Sequence, residues 1–77
     1  MEYEYDPEAD AIYIHLSDKV YAYGEDLDRK RRLDYAADGT PIGVELLCIR
    51  SGTTLHDLPY QDLIEKTLRQ LSIKVFA

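Results

Sequence analysis

The chain has 77 residues and a single cysteine, Cys48, so no internal disulfide can support it, and a domain this small buries only about 60% of its unfolded surface. Its 15 acids against 9 bases give a net charge of −6, which disfavours nucleic acid as a partner and leaves room for a basic protein. There is no apolar run of the ~18 residues a membrane span needs, and the N-terminus has neither the basic nor the apolar region of a signal peptide. A reducing, cytoplasmic setting is expected from the lone cysteine.

The elements follow in chain order as one domain over 1–77. Alternation predicts strands over most of residues 1–50, read as a β-meander. EYEY at 2–5 puts Tyr3 and Tyr5 on one face. AIYIHL at 11–16 puts Ile12, Ile14 and Leu16 on one face and Tyr13 and His15 on the other. VYAYG at 20–24 carries the weakest strand signal, around Val20. RRLDYA at 31–36 sets Leu33 and Tyr35 opposite Arg32 and Asp34. PIGVELLCI at 41–49 aligns Ile42, Val44, Leu46 and Cys48, which predicts a packed cysteine. Turns are expected at DPEAD, where Pro7 presets φ and Asp6 can bond the backbone beyond it, and at ADGT, whose Asp-Gly suits a tight hairpin.

After SGTT the period changes. Tyr60, Leu63, Ile64, Thr67, Leu68 and Leu71 form one helical stripe, predicting a helix over 57–71 with Asp57 as N-cap and Pro59 in its first turn. SIKVFA at 72–77 returns to alternation and reads as a terminal strand. The fold class expected is α+β: a small antiparallel sheet of five to six strands with one C-terminal amphipathic helix on one face.

Three features bear on chemistry. Asp6, Glu8 and Asp10 recur at every second position, as oxygen ligands do in an EF-hand loop. That loop also needs glycine at its sixth position and a bidentate glutamate at its twelfth. Here those are Ala11 and Ser17, so a solvated turn is the better reading. His15 and His56 have no second ligand at zinc spacing. His56-Asp57 beside Thr53 and Thr54 is read as a helix cap, not a nucleophilic site. The basic run Arg29, Lys30, Arg31 and Arg32 is a candidate charged partner surface, although neighbouring acids also suit it to charge compensation. The seven tyrosines fit half-buried pleated surfaces better than base stacking.

The motifs YDPEADAIYIHLSD, LDYAADGTPIGVELL and DLPYQDLIEKTLRQLSIKVFA together resemble the bacterial domain-of-unknown-function family DUF2283. The matching residues are Tyr5, Asp6, Asp10, Ile12, Tyr13 and Ile14, then Leu33, Asp34, Asp38, Gly39, Ile42, Gly43, Val44 and Glu45. The resemblance reaches nearly the whole chain. It implies a small antiparallel sheet with no assigned activity, and members look like compact partner proteins of bacterial toxin–antitoxin pairs.

The reading that results is a non-catalytic, self-associating protein-interaction module, antitoxin-like towards a basic protein. It needs no cofactor and no metal. A homodimer is expected, with Ile73, Val75 and Phe76 of the terminal strand as candidate interface; the other arrangement pairs that strand within its own chain, beside EYEY. The alternative function is a small hydrolase or metal-dependent enzyme using Asp6, Asp10, Asp34 and Glu45.

Overall fold

A computed structural model describes residues 2–76. Five strands form an antiparallel sheet: β1 (Tyr3–Asp6), β2 (Ala11–His15), β3 (Tyr23–Asp26), β4 (Arg31–Tyr35) and β5 (Pro41–Leu47). A 3-10 turn (Ile49–Ser51), a short strand β6 (Thr53–Thr54), the helix α1 (Gln61–Gln70) and a last strand β7 (Val75–Phe76) complete it. The fold is α+β, as the two periodicities predict.

The strand order is β1-β2-β5-β4-β3, so residues 1–50 do not form a simple meander. β5 is the longest strand and carries the longest apolar alternation, and it takes the centre with a partner on each side. The chain leaving β2 therefore crosses the end of the sheet to reach the far edge. Leu16 and Ser17 donate to the Ile42 carbonyl during this crossing, and Lys19 Nζ reaches Asp38 Oδ2 at 2.6 Å and Thr40 Oγ1 at 3.0 Å. The crossing displaces the weak strand: β3 begins at Tyr23, and Val20 is exposed. Tyr23 pairs with Tyr35, their rings stacked 5.1 Å apart.

One sheet face is the core face. Ile12, Ile14, Leu33, Val44 and Leu46 pack there beneath Ile49, Leu55, Leu58, Ile64, Leu68 and Ile73. Three expectations are corrected. Cys48 is exposed, because it adopts a left-handed conformation (φ 53°) that ends the alternation and lets Ile49 enter the core instead. The helix starts at Gln61, not at 57. Leu55 and Leu58 are buried, which requires a turn between them with Asp57 at φ 65°, and Tyr60 rather than Asp57 stands at the N-cap. The apolar stripe of the helix is narrower than its sequence: Ile64, Thr67 and Leu68 are buried, but Leu63 is half-exposed.

The C-terminal strand pairs within its own chain. It lies parallel to β6, with Thr53 opposite Val75 and Thr54 opposite Phe76, and not beside β1. No helix is long and apolar enough to cross a membrane among the described residues.

Candidate functional surface

The second face of the sheet is not covered by the helix, and its side chains are organised by two close approaches. Registers place Glu4, Tyr13, Glu45, Arg32 and Asp26 in one row across it, and His15, Gly43, Asp34 and Gly24 in the next. Tyr13 lies diagonally over Gly43 and donates its hydroxyl to Asp34 Oδ2 at 2.9 Å. A Cβ on Gly43 would stand 2.0 Å from that hydroxyl. Arg32 repeats the device on the next strands. It lies over Gly24, where a Cβ would meet its guanidinium at 2.3 Å, and bonds Asp26 Oδ1 at 3.0 Å. At both positions a long side chain occupies the space a Cβ would fill, so a larger residue would displace the Tyr13 ring or the Arg32 guanidinium.

Burial, followed by the hydrogen bond to Asp34, holds the Tyr13 phenol well above its ordinary range. The bond to Asp26 does the same for the Arg32 guanidinium. Among the described residues Asp34 Oδ1 accepts no hydrogen bond; Arg32 Nε stands 3.4 Å away, within ion-pair range but without hydrogen-bond geometry. Glu4 Oε2 and His15 Nε2 are 2.7 Å apart at the β1 edge.

The acids of the opening stretch have structural partners. Asp6 Oδ1 accepts the backbone N–H groups of Glu8 and Ala9, closing the turn. Asp10, at φ 56°, accepts the Arg50 N–H and so ties the turn to the 3-10 segment. Asp34 is occupied by Tyr13, and Glu45 stands beside Tyr13 and Arg32 on the open face. The four acids of the enzyme alternative are thus spread over two places, the turn and the open face. Among the described residues no group of three or more His, Cys, Asp or Glu is arranged to hold a metal ion. His56 and Asp57 sit side by side at the surface, while Thr53 and Thr54 belong to the small parallel sheet.

The basic run divides. Arg31 turns inward, donating to Asp28 Oδ2 at 2.9 Å, to the Thr54 carbonyl at 3.0 Å and to the His56 carbonyl. Arg32 points to the open face. Arg29 and Lys30 remain exposed at the tip of the β3–β4 hairpin, with no ion pair among the described residues. Of the expected interface residues, Ile73 is in the core, Val75 is half-buried, and only Phe76 lies at the surface.

Two of these candidate surfaces meet. An open groove of about 310 Å³ is lined by Asp28, Arg29, Lys30 and Arg31 together with Leu47 and Phe76. Sequence reasoning missed it, because Leu47 and Phe76 are 29 residues apart and only the parallel pairing of β6 with β7 brings them together. The half-exposed end of β5, apolar on both faces in the sequence, was its one legible sign.

An antiparallel sheet with one helix-covered face and one open, hydrogen-bonded face defines a small α+β domain. The chain belongs to the family described as "Protein of unknown function (DUF2283)", whose sequence model matches residues 2–49. The matched stretch is the five-stranded sheet with its turns, and it stops short of the helix and the last strand, a narrower extent than the sequence motifs suggest. No curated protein and no solved structure matches the chain.

Proposed function

We propose that this chain is a non-catalytic protein-interaction module that self-associates through a groove with a basic rim, and that its net charge of −6 also suits it to a basic protein partner, in the manner of an antitoxin. The observation that carries this reading is the division of labour among its charged groups. Asp6, Asp10 and Asp34 are committed to backbone or side-chain partners within the fold. Catalytic acids work differently, as pairs across a cleft with their pKa values pushed apart. Among the charged groups that no ion pair engages in the described residues, Arg29 and Lys30 stand beside exposed Leu47 and Phe76 in an open groove. A groove with an apolar wall and a charged rim suits a protein surface. A chain this small also gains core area by association.

Light scattering of the intact chain at high micromolar concentration tests the first half of the proposal, with twice the monomer mass expected. Calorimetric titration with calcium, magnesium and zinc tests the enzyme alternative. Binding tighter than millimolar that disappears when Asp6, Glu8 and Asp10 are changed together to Asn would replace the module with a metal-dependent reading.

A further inference from the structure

Resting on the self-association just proposed, we infer that the partner in the groove is the Asp6–Pro7–Glu8 turn of a second copy, and that the exchange is reciprocal. The registers fix a row across one end of the sheet. Asp6 pairs with Ala11, Ala11 with Leu47, and Leu47 donates its N–H to the Lys30 carbonyl. The acidic turn and the basic hairpin tip therefore lie at the same end, about three strand spacings or ~14 Å apart. Between them sit Leu47 and Cys48, both exposed.

The two ends of this row differ in the sign of their excess charge: Arg50, bonded to the Pro7 carbonyl and near Asp10, offsets only one of the three acids of the turn, and Asp28 in the groove offsets only one of the three bases Arg29, Lys30 and Arg31. Glu8 is exposed, and no side-chain bond or ion pair engages it among the described residues; the same holds for Arg29 and Lys30. A two-fold axis normal to the sheet, placed beyond this end, reverses the row. It sets the acidic turn of each copy against the basic groove of the other, twice per dimer. A two-fold axis along the row would instead oppose acid to acid. Charge complementarity thus selects one isologous arrangement. It also disfavours the sheet edges as the interface. β1 carries Glu4 and Asp6, and β3 carries Glu25 and Asp26, so edge-to-edge pairing of like strands would bring like charges together.

The test uses two full-length variants, Glu8→Lys and Lys30→Glu, at exposed positions outside the core. The wild-type chain is expected to be dimeric by sedimentation equilibrium, and each variant alone to raise the dimer dissociation constant by about tenfold or more, since each creates two like-charge contacts. Mixed in equal amounts, the two variants should recover the wild-type affinity, because both contacts are then complementary. Cys48 near the axis supplies a second readout: a short bis-maleimide should join two wild-type copies, and join the mixed variants better than either alone. A wild-type dimer insensitive to both substitutions would overturn this interface while leaving self-association standing. A wild-type chain that stays monomeric would overturn both.

Discussion

Tyr13 and Asp34 are joined by a 2.9 Å hydrogen bond that spans the intervening strand β5, and the bond passes over Gly43. Three residues from three strands thus act as one device. Gly43→Ala would push the Tyr13 hydroxyl aside and break the bond, leaving the mostly buried Asp34 carboxylate without its hydrogen bond. The expected cost is about 1–3 kcal/mol, well above the usual glycine-to-alanine change in a strand. Tyr13→Phe should cost a similar amount, and the double variant less than the sum of the two, because the bond is lost only once, but more than Tyr13→Phe alone, because the edge of the ring still meets the alanine Cβ. Urea unfolding of the three variants checks this; additive losses would show that Gly43 and Tyr13 act independently.

The same bond sets an alkaline limit. The Tyr13 phenol ionises well above its ordinary 10.0 because of burial first and Asp34 second. A raised folded-state pKa contributes stability that is complete below the unfolded value and is lost as pH rises through the folded one. Stability should therefore decline above about pH 10, and Tyr13→Phe should flatten that decline. Tyrosinate absorbance should show Tyr13 among the last of the tyrosines to titrate, with Tyr35, also raised by burial, following the same direction.

At the acid end the crossing segment is the sensitive point. Asp38 is held well below its ordinary 3.8 by the Lys19 ammonium first and by Thr40 next. A depressed pKa contributes stability that is present above the unfolded value and is lost as pH falls through the folded one. The loss should begin near pH ~4 and deepen below it. Asp38→Asn should show a shallower acid dependence than wild type in thermal melts across this range. Asp28, lowered mainly by the Lys30 N–H, keeps some acid dependence in that variant.

The helix offers a contrast between two leucines of one predicted stripe. Leu68 is fully buried and Leu63 is half-exposed. Leu68→Ala should cost about 2–5 kcal/mol, much of the total stability of a chain this size. Leu63→Ala should cost under ~1 kcal/mol. Equal losses would mean that the helix is rotated about its axis relative to the sheet.

The sequence made the sheet legible where alternation was long, as in Ile12–Ile14 and Ile42–Leu46, and where a turn had a specific chemistry, as at Asp6-Pro7 and Asp38-Gly39. It misled where a single backbone conformation broke the period. Cys48 and Asp57 each adopt positive φ, and each redirects the next residues: Ile49 into the core in one case, the helix start to Gln61 in the other. Strand order was hidden for a different reason. Alternation tells which face a residue takes, and says nothing of which strand lies beside which. The open-face network was half visible, since Tyr13, Asp34, Gly43 and Glu45 all belong to the motifs that carry the family resemblance. Their contact across β5 required the register, and so did the groove between Lys30 and Phe76.

The C-terminal strand tests how the tail divides between core and surface. Ile73 is buried at 8% exposure, and Val75 pairs with Thr53, whereas Phe76 is 41% exposed. Removing residues 72–77 therefore strips a core side chain along with the surface one. It should unfold much of the protein and give no clean reading of oligomeric state. Ile73→Ala alone should cost about 2–5 kcal/mol. Phe76→Ser keeps Ile73 in place and removes the apolar wall of the groove. It should leave thermal stability within about 1 kcal/mol of wild type, since the ring is substantially exposed. The same substitution should weaken the dimer measurably by sedimentation. If Phe76→Ser instead destabilises the chain as strongly as Ile73→Ala, the ring serves the fold, and the groove loses its apolar contact for a partner.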